Sequence, residues 1–303
     1  MAVAKQRSGL KAYSDAVLAY ATGFLAWFWD FAKKKPLGGI GLVIIMFTVM
    51  TAIIGPYLPL KDELKINATH LFEGPQWTHG FILGTDHLGR DNLARLIVGA
   101  RVSITVAFVS VAIGSFIGFW MGLVSGYYGG WVDMTIQRFV DMKMAFPTIV
   151  LALAIVSVLG ASQQNIIIAI ALVQIPQKAR VIRATVLSVR SMEYVQAARA
   201  IGASDLRILL RHITPQTFAP AIIIITASLG LAILIESSLA FLGLGTPPPK
   251  PSWGAMLSGQ TLVNVERAPW NAVFPGVALS ITVFSFNLVG DALRDVLDPR
   301  LRA

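Results

Sequence analysis

The chain has 303 residues, 55% of them hydrophobic and only 14% charged, with a mean hydropathy of +0.67. A soluble domain carries roughly a quarter charged residues, so this composition excludes a water-solvated globule, and the absence of cysteine excludes disulfides, thiolate metal sites and cysteine nucleophiles. An excess of 25 Lys and Arg over 16 Asp and Glu, formally +9, would point to nucleic acid in a soluble protein; in a chain this apolar its meaning depends on where the charges lie.

The first 36 residues form a basic, aromatic-rich tail ending in Lys33, Lys34 and Lys35, without the short apolar core and small-residue cleavage site of a secretory signal. Trp27, Phe28 and Trp29 suit a membrane interface. Uncharged apolar stretches long enough to cross a hydrocarbon core, about 20 residues as helix, follow at about 37–60, 102–127, 144–162, 216–243 and 270–290. A sixth, at about 163–177, opens on Gln163, Gln164 and Asn165 and meets Pro176, Lys178, Arg180 and Arg183; by length alone it could be re-entrant. With six crossings and the N-terminus inside, eighteen of the 25 Lys and Arg fall on inner segments, in line with the cytoplasmic bias of positive residues. Five crossings would put the group from Lys178 to Arg211 outside.

The expectation is therefore an all-α integral membrane protein with six transmembrane helices and both termini cytoplasmic. It divides into a tail at 1–36, a first helix and external loop at 37–100, and a core at 101–303 carrying the remaining spans and a loop at 191–216. The positive excess then lies on the cytoplasmic side, where it fixes topology and attracts anionic headgroups of the bilayer, and nucleic acid drops out as a partner.

The second span carries Gly114, Gly118, Gly122 and Gly126 on one helical face. This spacing lets two backbones approach closely in lipid, either within the chain or against a partner subunit. Pro147, Pro176, Pro220 and Pro275 favour kinks, which suit a moving pore but are common in membrane helices. Glu236, roughly 30 Å along its helix at 1.5 Å per residue, is expected near the outer face. An intramembrane carboxylate faces a cavity or a partner, so it either lines the pathway or bonds a neighbouring helix. So few ionisable residues in the spans argue against ion-gradient coupling.

The outer loop at about 61–100 holds His70, Phe72, Trp77, His79 and Phe81, then Asp86, Gly89, Arg90 and Asp91, then an amphipathic helix from Asp91 to Arg101. Calcium-loop spacing is missing; Asp91 suits a helix cap. The irregular spacing of His70, His79 and His87 reads as exposed loop histidines, with no metal site. A second outer loop, TPPPKPSWGAML, is stiffened by Pro247, Pro248, Pro249 and Pro251 and carries Trp253, suited to rim a pore or touch an external partner.

Between the fourth and fifth spans, residues Ser191 to Gln216 are the most polar stretch of the second half. Ser191 can cap a helix with Glu193 in its first turn. Tyr194, Ala197, Ala198 and Ile201 share one small-residue face, Gly202 suits a C-cap, and Ser204 with Asp205 can start a second helix that Pro215 ends. This compact knob is suited to dock in a groove of a soluble partner.

Gln196-Ala197-Ala198, three residues, Gly202, and Pro215 thirteen residues further resemble the cytoplasmic loop of bacterial ATP-binding-cassette importer permeases, Glu-Ala-Ala, three residues, Gly, nine residues, Ile-x-Leu-Pro. The departures are Gln196, His212 and Thr214. Leu83 to Ile104, Arg138 to Ile155, Ser237 to Leu257 and Phe286 to Leu301 are similar to the oligopeptide, dipeptide and nickel importer permeases, specifically their second, C-type subunit; the resemblance spans about 35–302. It implies an inner-membrane complex of two homologous permeases, two cytoplasmic ATPases and an external substrate-binding protein. The coupling residues would be Glu193, Tyr194, Gln196, Ala197, Ala198, Gly202 and Pro215. No phosphate loop ending in Gly-Lys-Ser/Thr occurs, so ATP and magnesium are expected in the partner ATPases and no cofactor in this chain. The implied cargo is short peptides, or else glutathione, oligosaccharides or nickel chelates. A stand-alone channel or intramembrane enzyme is the rival class, and Glu236 alone would serve its chemistry.

Overall fold

A computed structural model describes residues 29–76 and 80–297. The tail at 1–28, with Trp27 and Phe28, and also Trp77, His79 and the stretch from 298 onward, lie outside the described residues. Residues 29–34 are helical, with Trp29 exposed. Helix α1, Pro36–Ile54, opens on a proline whose missing N–H is free of cost in a first turn. It leans on the last helix through Gly38 and Gly41 and is tied there by Lys35 Nζ to Asp295 Oδ2, 2.5 Å. Its other face, Leu37, Ile40, Phe47, Met50 and Ile53, is exposed, as a lipid-facing helix requires.

Helix α2, Asn92–Tyr128, is 37 residues long, about 56 Å at 1.5 Å per residue. The amphipathic stretch expected as a separate outer helix is its first turns: Asp91 accepts from Leu93 N and the helix runs on without a break. It ends at Gly129, φ +67°, a backbone state open to glycine. Helix α3, Gly130–Met144, and helix α4, Thr148–Leu159, follow as a pair bent by 90°. The stretch expected to cross at 144–162 is thus broken at Pro147. Its helical part has 12 residues, roughly 18 Å, against a core of about 30 Å.

Helix α5, Gln163–Arg190, reverses the expectation for its neighbour: the weak, short segment is a 28-residue helix with Pro176 inside it. Ser162 Oγ caps it, accepting from Asn165 N. Lys178, placed by the charge pattern in a loop, is buried within it. After the short helix α6, Glu193–Ala200, comes α7, Asp205–Phe241, continuous through a π turn at Ile208–Ile213. Helices α8, Trp253–Met256, and α9, Gln260–Val263, precede α10, Trp270–Leu297. Among the described residues, five helices are long and apolar enough to cross a membrane, and a sixth crossing exists when the bent α3–α4 pair counts as one.

The bundle is centred on α2 against α5, with α7 beside both and α10 between α7 and α1. The glycine stripe makes the α2–α5 contact. A Cβ at Gly114 would lie 2.8 Å from the Ala171 carbonyl, at Gly118 2.9 Å from the Ile175 carbonyl, and at Gly122 2.5 Å from that of Ala179. At Gly126 it would meet Val186 Cβ at 2.8 Å. Lipid gives no hydrophobic reward for association, so closeness of backbones supplies the attraction, and here the stripe is spent inside the chain. Two apolar cores result: one around Val106, Ile170, Ile233 and Phe286, the other around Leu123, Ile182, Val186, Ile208 and Ile213.

Candidate functional site

The second core closes one end of the bundle, and α6 sits on it. Val195 and Ala198 are buried in that core, whereas Glu193, Tyr194, Gln196, Ala197 and Ile201 are exposed, Ile201 by 86%. The face expected from sequence is therefore split: Ala198 turns inward as an anchor, and Tyr194, Ala197 and Ile201 form the outward surface. The C-terminus is a full Schellman turn, with Gly202 N–H bonded to Arg199 O and Ala203 N–H to Ala198 O, Gly202 at φ +82°.

Ser191 does not cap α6. It closes α5, its hydroxyl donating to Ser188 O, and Met192 stands at the N-cap without a side-chain bond. Glu193 does lie in the first turn, where the helix dipole favours an acid. Gln196 Nε2 donates to Ser191 O at 3.1 Å. A glutamate could only accept, so glutamine at this position bonds a carbonyl that the family's usual acid cannot. Pro215 does not end the second helix. The π turn widens the backbone, Thr214 N and Oγ1 both donate to Leu209 O, and Pro215 follows in the first turn of the regular α-helical part of α7, Thr214–Phe241, where its missing N–H costs little. Tyr194 Oη approaches His212 O at 3.5 Å, bringing α6 against this turn.

Residues not singled out from sequence fasten the knob to the bundle. Arg190 Nη1 donates to Tyr127 O at 2.8 Å, serving an orphan carbonyl at the end of α2, and Tyr127 Oη donates to Asp205 Oδ1 at 2.6 Å. Asp133 is gripped by Arg183 and by Ser125 Oγ, joining α3 to α5 and α2. An open cleft of about 750 Å³ lies between Tyr127, Tyr128, Arg190, Gln196 and Arg199. These bonds join the α6 end to α2, α5 and α7. The cue in sequence was the aromatic pair Tyr127-Tyr128 before Gly129, whose partners lie too far along the chain for spacing to reveal.

Glu236 lies at the opposite end, away from α6. It is fully buried, and Ser103 Oγ donates to its Oε2 at 3.0 Å, with Ser237 Oγ at 3.4 Å. Ser103 Oγ also accepts from Trp253 N at 3.3 Å, and Trp253 Nε1 reaches Leu96 O at 3.0 Å. Gly254 lies against the α7 backbone, where a Cβ would be 2.5 Å from Ser237 Cα. Glu236 thus joins α2, α7 and the α8 loop inside the chain's own packing.

The outer loop is a bonded unit. Thr85 Oγ1 donates to His70 O at 2.5 Å and accepts from Glu73 N, while Trp270 Nε1 donates to Thr85 O. Asp86 accepts from Leu88 N and Arg90 N and pairs with Arg90 Nε at 2.7 Å. His70 is half-buried on Glu73, 2.6 Å away. Burial holds the His87 imidazole below its ordinary pKa and pushes the Asp91 carboxyl above the ordinary carboxylate range. Among the described residues no group of three His, Cys, Asp or Glu could hold a metal ion.

The described residues form a bundle of long apolar helices with a short helical knob packed on one end. Residues 114–303 match the family described as the inner membrane component of binding-protein-dependent transport systems. The chain is 43% identical over 271 residues to the dipeptide transport system permease protein DppC of Alkalihalophilus pseudofirmus, covering 89% of this chain and 88% of that one. It is 38% identical over 277 residues to the glutathione transport system permease protein GsiD of Pectobacterium atrosepticum, covering 91% of each. Its fold is similar to that of the MetNI methionine ABC transporter in an inward-facing conformation, with a TM-score of 0.54 and 18% identity over 68% of this chain and 97% of that one. The chain belongs to the binding-protein-dependent inner-membrane permease family, as a permease subunit of an ATP-binding-cassette importer.

Proposed function

We propose that the chain is one of two homologous permeases in an importer of dipeptides or related solutes such as glutathione. Two ATP-binding subunits, which carry ATP and magnesium, dock on the exposed face of α6 in the cytoplasm; a binding protein delivers the solute to the opposite end, where the Thr85 loop and the Trp253 loop lie. The observation that carries this reading is the mechanical one: α6 presents Tyr194, Ala197 and Ile201 outward while Val195, Ala198 and the Arg190–Tyr127–Asp205 bonds fix it to three long helices. A push on this knob has to move the bundle. Both relatives named above supply the cargo class.

The test is reconstitution of the chain with its co-expressed partners in vesicles, followed by ATP-dependent uptake of labelled dipeptide and of glutathione. Uptake of at least one, abolished without ATP, is expected. Intact assembly with uptake of neither would remove the peptide assignment.

A further inference from the structure

The α2–α5 seam contains a buried lysine that the coupling scheme does not use. Lys178 and Gln174, one turn apart on α5, are 2% and 3% exposed, and Lys178 Nζ donates to Gln174 Oε1 at 2.6 Å. An ammonium only donates, so this bond fixes the amide with its nitrogen pointing away, and Gln174 Nε2 has no partner. Ser115, on the α2 turn between Gly114 and Gly118, is also buried with an unpartnered hydroxyl; Gly118 itself packs on Lys178 Cβ. The acids of α3 are engaged elsewhere, Asp133 by Arg183 and Asp141 by Arg180. A buried lysine in hydrocarbon without a counter-charge is costly, and the atom of the Lys178–Gln174 pair left without a partner, Gln174 Nε2, is a donor. Such a pair fits an anion.

A way in exists. Gln174 is also a wall of a cavity of about 180 Å³ at the α3–α4 elbow, together with Lys143, Phe146, Thr148, Pro176 and Gln177. This is room for several water-sized groups of about 30 Å³ each, and its lining holds a second lysine, Lys143, and no acid. We propose that Lys178 and Gln174 form a carboxylate-binding position, reached through the elbow cavity, that receives the free carboxylate of the transported peptide. The inference rests on the peptide-import reading and adds a solute contact within the membrane to it.

The test compares, in the reconstituted importer, uptake of a dipeptide and of its C-terminal amide, each at saturating binding protein. Changes between variants then cancel the binding protein's own preference. Lys178→Met is expected to lower the acid-to-amide uptake ratio roughly tenfold, the scale of one charge-assisted hydrogen bond, and Lys178→Arg to keep it. If Lys178→Met does not assemble, Gln174→Glu places an internal carboxylate beside the ammonium in nearly the same shape, and the same fall is expected. An unchanged ratio in the assembled variant, with wild-type uptake intact, overturns the site while leaving the importer standing. Acid uptake equal in wild type and Lys178→Met, with the amide excluded from both, overturns it as well. Failure of the wild type to take up either peptide sinks the peptide reading and this site with it.

Discussion

Gly202 and Gly122 are glycines for different reasons, and their variants separate the two. No atom would come within 4 Å of a Cβ at Gly202, whose φ is +82°, so Gly202→Ala suffers only the left-handed backbone penalty, about 1 kcal/mol. Thermal unfolding of the purified complex should show a lowered midpoint for Gly202→Ala and a smaller drop for Gly202→Asn, since asparagine tolerates that conformation; equal drops would mean that side-chain contact matters. Gly122 has helical backbone but faces the Ala179 carbonyl and Ile182 Cβ. Gly122→Leu must part α2 from α5, and overpacking costs of about 1–3 kcal/mol or more follow, so folded permease recovered from membranes should fall sharply. The stripe was legible from spacing alone, because small residues every fourth position have one geometric use. Its partner was not, since the facing residues, Ala171 to Val186, belong to the segment that hydropathy rated weakest.

At the scale of elements, hydropathy measures composition and not path. Residues 144–162 are uniformly apolar yet hold a 90° bend, and the one local sign is Pro147, whose ring restricts the residue before it. Conversely α5 looked weak because it opens on Gln163, Gln164 and Asn165 and meets Pro176, Lys178, Arg180 and Arg183, although it packs at the bundle centre against α2 and α7. Pro215 reads as a helix stop by local rules, and only the π turn shows how the chain avoids stopping. The Asp91 cap and the Schellman turn at Gly202 were legible because both are set by neighbours within five residues. The outer loop carries a pH dependence. The lowered pKa of His87, caused first by burial, means the unfolded chain binds the proton more readily, so the loop's stability is full above the ordinary pKa of 6.5 and declines as pH falls through it. Hydrogen-exchange protection factors over residues 81–91, corrected for the intrinsic pH dependence of amide exchange, should fall between about pH 7 and 5.5, and His87→Gln should flatten that trend; an unchanged slope would assign it to another group.

For the whole molecule, the charge pattern predicts that the α6 end is cytoplasmic and the Thr85 loop external. The chain has no cysteine, so single cysteines report topology without background. A cysteine replacing Leu64, in the outer loop, should react with an impermeant thiol reagent added to intact cells. One replacing Leu206, exposed beside α6, should react only after permeabilisation, and the reverse pattern would invert the topology. The same assay decides whether the bent α3–α4 pair completes a crossing, because without it only two crossings, α2 and α5, separate the two positions and both would lie on one side.

The central claim is that the outward face of α6 receives the force of the ATPases. The most direct measurement places a cysteine at Ile201, 86% exposed, and cross-links it in the membrane-embedded complex to the co-purified ATP-binding subunit, with and without ATP, alongside Ala197→Asp. The expected result is a cross-link whose yield changes with nucleotide, and loss of both ATPase association and uptake in Ala197→Asp while the permease stays folded in the membrane. Absence of any cross-link, with Ala197→Asp keeping its ATPases and full uptake, would contradict the account.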